Sequence, residues 1–150
     1  MSNDKGTYIL VLALDKEARI SVGKLTSFSF PAGYYLYVGS ALGGLNSRIG
    51  RHIRGGRKLH WHIDYLRRRA GVIEVWYLVS GERLECSWYR AASGLPQARM
   101  PVAGFGSSGC GCDSHLLHFV SLPSMETFRK LLGEQGKRLQ RMKVDGQFRF

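Results

Sequence analysis

Apolar and polar positions change period several times along the chain, and each change predicts an element. "TYILVLAL", residues 7–14, is an almost unbroken run of β-branched, aromatic and aliphatic residues. It predicts a buried strand that ends in the polar turn "DKEAR". "ISVGK" predicts a strand pairing back on the first as a hairpin. "FSFPAGYYLYVG" predicts a further strand, its entry punctuated by Pro31 and Gly33. Along "YYLYV" the side chains alternate, so Tyr35 and Tyr37 share one face while Tyr34, Leu36 and Val38 share the other. From Leu45 the spacing becomes helical. Leu45, Ile49 and Ile53 form a buried stripe, and Arg48 and His52, also one turn apart, project together on a second face.

"LHWHIDYLRRRAG" predicts another helix with Gly71 as its C-cap, "VIEVWYLV" a strand, and "GERLECSWYRAA" a third helix. That third helix turns Leu84, Trp88 and Ala91 or Ala92 inward. "GFGSSGCGC" is too rich in glycine for either regular state. "SHLLHFVSL" reads as a short strand, "SMETFRKLLGEQGKRL" as a helix started by Ser124, and "QRMKVDGQFRF" as a loose polar tail. Strands and helices alternate without the parallel βαβ rhythm, which predicts an α+β fold around a mostly antiparallel sheet. No internal repeat or interdomain linker is visible.

Charge changes this picture more than composition does. The 150 residues suit one domain, but 22 Lys and Arg against 11 Asp and Glu leave a formal +11. Such an excess attracts polyanions, nucleic acid before an anionic membrane surface. Nothing approaches the ~18 apolar residues of a membrane helix, and the N-terminus lacks a signal-peptide core. Cys86, Cys110 and Cys112 form an odd set with no disulfide framework, so the expectation is a reducing, cytoplasmic setting near the nucleoid.

The polar groups suggest one chemistry. Phosphodiester hydrolysis requires an activated water, a cation on the phosphate, neutralisation of the pentacovalent charge and help for the leaving oxygen. A carboxylate such as Glu85 can hold Mg²⁺. An arginine such as Arg48 forks two donors onto phosphate oxygens. A phenol with a depressed pKa, at Tyr8 or Tyr37, or the imidazole of His52, can orient or deprotonate water.

"GTY" at 6–8, "YVG" at 37–39, "SRIGRH" at 47–52 and a later helical glutamate resemble, in this order, the GIY-YIG endonuclease superfamily. "HWHIDYL", "LECSW" and "GFGSSGCGCDSHL" resemble its Uri-type branch, a domain also found fused to endonuclease III. The resemblance spans roughly residues 6–120 and implies a nuclease-like domain over 1–120, with 121–150 as a C-terminal helix and basic tail packed on or trailing from the same domain. It implies a central three-stranded antiparallel sheet flanked by helices, here with an extra N-terminal hairpin. It implies Tyr8 and Tyr37 as the paired tyrosines, Tyr37 as general base or water-orienting group, and Arg48 as the transition-state arginine. His52 would be an auxiliary proton or phosphate contact, Glu85 the ligand of one Mg²⁺ (or Mn²⁺), and Gly39 a place where backbone turns close to metal or phosphate. Thr7 stands where the motif has isoleucine, "DKEARISVGKLTSFSF" lengthens the connection, and Glu82 competes with Glu85.

Three further features are open in the sequence. His60, His62 and Asp64 either flank the active site or serve structural hydrogen bonding. Cys110, Cys112 and His115 suggest Zn²⁺, with Cys86, His60 or His62 completing a tetrahedron, or else a structural loop. Arg51, Arg54, Arg57, Lys58, Arg67, Arg68 and Arg69 form the expected phosphate-tracking surface. The expected partner is DNA, RNA not excluded, without a membrane role and with no indication of oligomeric state. The expected activity is Mg²⁺-dependent DNA cleavage, in repair or in processing structured DNA. The rivals are a DNA- or RNA-gripping module without turnover and a zinc-stabilised adaptor.

Overall fold

The computed structural model describes residues 3–55, 58–107 and 111–144. In chain order the elements are β1 (Gly6–Leu14), β2 (Ala18–Ser21), β3 (Ser27–Phe30), β4 (Gly33–Ala41), α1 (Leu45–Arg54) and α2 (His62–Arg67). They continue with β5 (Gly71–Val79), α3 (Glu85–Ser93), β6 (Leu116–Phe119), α4 (Met125–Leu132), a 3₁₀ turn (Gly133–Arg138) and β7 (Gln140–Lys143). Five strands form one antiparallel sheet in the order β6-β4-β1-β5-β7, while β2 and β3 pair separately. The fold is α+β.

β1 is the central strand, and its apolar run is explained by burial on both faces. Leu10 and Leu12 meet the core made with Leu45, Ile49 and Ile53 of α1, Ile63 and Leu66 of α2, and Phe30 of β3. Ile9 and Val11 point the other way, toward Trp88 and Ala92 of α3 and Phe128 of α4. Trp76 stacks on Phe128 at 5.5 Å and Trp88 meets the same ring edge-on at 5.4 Å. Such aromatic pairs each add about 0.5–1.5 kcal/mol beyond their area burial. The alternation of the tyrosines in β4 is as expected: Tyr35 and Tyr37 join the first core and Leu36 and Val38 the second.

Several elements differ from the sequence expectation. β2 pairs with β3, not with β1, because the chain turns at 22–25, where the Leu25 amide donates to the Val22 carbonyl at 2.9 Å. Pro31, which has no amide to donate, separates β3 from β4 instead of decorating one long strand. α2 starts only at His62, and Gly71 opens β5 rather than capping a helix. The sheet has five strands rather than three, since β6 extends it at one edge and β7 at the other. β7 comes from the tail that reads as loose. Its polar residues suit an edge strand, with Tyr77 donating to Gln140 at 3.2 Å and Arg141 lying 3.7 Å from Glu74. Ser124 caps α4 as expected, accepting from the Thr127 amide at 3.2 Å. With Phe128 and Leu139 in the second core, residues 121–144 pack on the same body as the rest.

Candidate functional site

The antiparallel register of β1 and β4 sets Tyr8 opposite Gly39. The Tyr8 phenol fills the space that a side chain at 39 would take: a Cβ there would lie 2.5 Å from its hydroxyl and 2.6 Å from Cζ. Gly39 is therefore a seat for Tyr8 within a regular strand rather than a turn, and its backbone lines the cleft described below. So seated, the Tyr8 hydroxyl meets His52 Nε2 on α1 at 2.8 Å. Tyr37 lies on the same face of β4, its ring 6.2 Å from the His52 ring.

Burial controls the titration of these groups. It pushes the Tyr8 phenol up to about 12 despite the opposing Arg48 charge, and raises Tyr37 as well. It lowers His52 to about 3, aided by the positive charges of Arg48, Arg51 and Arg67 and opposed by Asp64. The expectation of a phenol with a depressed pKa is thus corrected. At neutral pH both tyrosines are protonated and His52 is a neutral imidazole.

Arg48 is held from two sides. Its Nη1 donates to the Ser40 carbonyl at 3.1 Å, and its guanidinium lies 4.5 Å from the Trp61 ring centre. Arg51 lies 4.2 Å from the same ring and forks both nitrogens onto Asp64 at 3.0 and 3.1 Å. Asp64 also accepts from the His60 and Trp61 amides at 2.7 and 2.8 Å, closing the N-terminus of α2. Burial pushes its carboxyl up, but the bonds from Arg51, Trp61 and His60 prevail and hold it below the usual range.

Glu85 enters from the opposite face of the sheet, as the first residue of α3. Ser40, the residue after Gly39, alternates to that face and its hydroxyl donates to Glu85 Oε2. Arg83 Nε lies 3.9 Å from Oε1. Tyr8, Tyr37, Arg48 and Glu85 all line one polar cleft of about 300 Å³, together with Ser40 and Trp61. Gly39, Arg83, Gly106 and His115 complete its wall. Glu82 is exposed and does not line it.

His62 works behind the wall. Its Nδ1 accepts from the Gly106 amide at 2.7 Å, fixing a backbone at φ 73° that favours glycine. A Cβ at 106 would also press on the Tyr37 ring at 2.9 Å. His60 is exposed and packs against Trp61 at 4.9 Å. Of the "HWHID" segment, then, the side chain that lines the cleft is Trp61, not His60, His62 or Asp64.

The cysteines depart from the expectation of no disulfide: Cys86 and Cys112 are bonded. Cys86, Cys112 and His115 also bring a donor atom each within 4.8 Å of one another, the spacing of a metal-binding group, but the disulfide between two of them argues against binding in this state. It includes Cys86 from α3, while Cys110 lies outside the described residues. Burial lowers the His115 imidazole, with Glu85 opposing.

The basic residues divide. Arg67 is only 2% exposed and donates to the His52 carbonyl at 2.5 Å and to the Ile53 carbonyl, so it closes α1 and presents no surface to a phosphate. Arg51 is committed to Asp64 and Trp61. Arg69 is exposed beside a hollow with Asp15, Lys16 and Glu17, at the end of β1 away from Tyr8. Arg54, Lys58 and Arg68 are exposed, and Arg57 lies outside the described residues.

Ser40, Trp61, Arg83 and Gly106 are cleft residues that sequence reasoning did not single out. Ser40 alone had a usable signal, directly following "YVG" at a strand end. The cleft offers one carboxylate with a serine hydroxyl beside it, an oxygen donor set suited to a hard cation that keeps most of its waters.

No curated protein and no solved structure matches the chain. One family does match, over residues 7–137, and the chain belongs to it: the domain of unknown function DUF123.

Proposed function

We propose that the protein is a metal-dependent endonuclease that hydrolyses DNA phosphodiester bonds. The observation that supports this most is convergence: Tyr8, Tyr37, Arg48 and Glu85, from β1, β4, α1 and α3, line one cleft. The resemblance of "GTY", "YVG" and "SRIGRH" to GIY-YIG endonucleases points the same way, as does the net charge of +11. Glu85 would hold Mg²⁺ or Mn²⁺, which when bound supplies charge neutralisation on the phosphate. Arg48, already aimed along the cleft by Ser40 and Trp61, binds a phosphate oxygen and stabilises charge developing on it. The raised pKa of Tyr37 favours orienting water by hydrogen bonding over acting as a phenolate base. Tyr8 is held in place by His52 for the same task. Arg54, Lys58 and Arg68 supply sequence-independent phosphate contacts. One such cleft cuts one strand per encounter, so nicked DNA precedes linear product. Zn²⁺ is the metal suited to the Cys86, Cys112 and His115 group once its cysteines are reduced.

The test is cleavage of supercoiled plasmid and of branched and single-stranded DNA by wild type and Glu85→Gln, with Mg²⁺ or chelator. Metal-dependent nicking that falls at least about 100-fold in the variant is expected. Salt-sensitive binding without cleavage on every substrate would instead favour a gripping module.

A further inference from the structure

The cysteine and histidine group beside the cleft is held by parts of the fold that do not depend on the disulfide. Cys86 is the second residue of α3, a helix pinned by the fully buried Trp88. His115 is fixed by its backbone, donating to the Phe105 carbonyl at 2.8 Å and accepting from the Val38 amide at 2.9 Å. Between them Cys86 Sγ lies 4.0 Å from His115 Nε2. On a tetrahedral zinc, with Zn–S about 2.3 Å and Zn–N about 2.0–2.1 Å, sulfur and nitrogen sit about 3.5 Å apart. The observed spacing thus needs a shift of roughly half an ångström, within the reach of side-chain rotation. Cys112 joins from the segment just before His115, and all three donor atoms fall within 4.8 Å.

Two soft thiolates and an imidazole select zinc-class cations over Mg²⁺ or Ca²⁺. A disulfide, however, leaves neither sulfur as a thiolate, and the thiolate is the ligand form. The disulfide and the metal therefore exclude each other.

We propose that in the reduced protein Cys86, Cys112 and His115 bind one zinc-class divalent cation, and that the Cys86–Cys112 disulfide is its metal-free, oxidised alternative. The interconversion balances. A dithiol reductant attacks the disulfide, gives up two electrons and two protons, and leaves as its own disulfide. Zn²⁺ then displaces two protons from the thiols it binds. Among the described residues these three are the ligands. This inference is independent of the nuclease reading, since it requires no phosphodiester chemistry.

The experiment uses the full chain, stripped of metal and reduced with a phosphine that does not bind the ion. It is titrated with Zn²⁺ against a chromophoric chelator and with Co²⁺ by absorption. One equivalent of zinc and a sulfur-to-cobalt charge-transfer band are expected in the reduced protein. The oxidised protein is expected to bind at least about 100-fold more weakly, as are Cys86→Ser and Cys112→Ser. The proposal is overturned if the reduced wild type takes up no zinc, or if its cobalt form lacks the thiolate band. Equal binding after oxidation overturns it as well. So does retention of binding in Cys86→Ser. The wild-type cobalt spectrum decides the matter even where a variant folds poorly.

Discussion

Gly39→Ala isolates the contact on which the cleft is built. Gly39 lies within β4 and is not among the positive-φ glycines, so alanine there is disfavoured only by what its methyl meets. It meets the Tyr8 hydroxyl at 2.5 Å, Cζ at 2.6 Å and Cε1 at 3.1 Å. Carbon atoms pack comfortably at about 3.5–4.0 Å, so the ring must withdraw by roughly 1 Å. Tyr8 is 1% exposed and packed within the first core, with open space only where it borders the cleft. Overpacking of this kind costs about 1–3 kcal/mol. Losing the bond to His52 adds about 0.5–1.5 kcal/mol. Replacing a strand glycine returns about 0.5–1 kcal/mol. The net expectation is a destabilisation of about 1–3 kcal/mol, which for a chain of this size lowers Tm by a few degrees per kcal/mol.

Urea unfolding followed by tryptophan fluorescence measures the loss. A cycle with Tyr8→Leu assigns it, because leucine is too short to reach the position of Cζ. In that background Gly39→Ala should cost at least about 1 kcal/mol less than in wild type. If the alanine is neutral in wild type, or costs the same in both backgrounds, Tyr8 does not sit on Gly39 and the account of the cleft is wrong.

Acid should expose the buried imidazole. His52 titrates near 3 in the fold and near 6.5 when unfolded, so its contribution is complete above about pH 6.5 and is lost progressively as pH falls toward 3. The shift bounds that loss at about 5 kcal/mol. The slope of urea midpoint against pH over this window should flatten in His52→Asn, and an unchanged slope would refute the assignment. Arg67→Met should destabilise the fold by about 2–4 kcal/mol by stripping the carbonyls that end α1 of their donor. On the proposed nuclease function, the same variant should leave the salt dependence of DNA binding unchanged, whereas Arg54→Ala should make it shallower by about one counterion. A reversed pattern would put Arg67 on the DNA.

The sequence was most legible where one residue pattern has one physical solution. The run at β1 requires burial on both faces, and the fourfold spacing from Leu45 to Ile53 requires a helix on a core. It was least legible where partners are chosen by distance along the chain. Nothing local decides that β2 takes β3 rather than β1, or that the polar strand β7 finds the edge beside β5. Charged residues were misread for the same reason. Arg67 looks like its neighbours Arg68 and Arg69, yet it is the buried one of the three and donates to the carbonyls at the end of α1. The cleft tyrosines were legible as residues but not as acids, since their raised pKa values come from burial that only the packed core creates.

The location of the cleft follows from strand parity. Tyr37 and Gly39 point to the face covered by α1, while Ser40, one residue later, points to the face covered by α3. In the middle of the sheet those two faces are separated by a continuous layer of backbone. They meet only at its end, where β4 gives way to α1, and there Arg48 reaches back to the Ser40 carbonyl while the Ser40 hydroxyl reaches Glu85. Ser40 is thus the joint through which a cation from one helix and a carboxylate from another share one space. The same residue could not do this two positions earlier, where Val38 is sealed in the second core. That is why the polar groups gather at the N-terminal end of β1 and not at the hollow by Arg69, although both ends of the sheet carry charge.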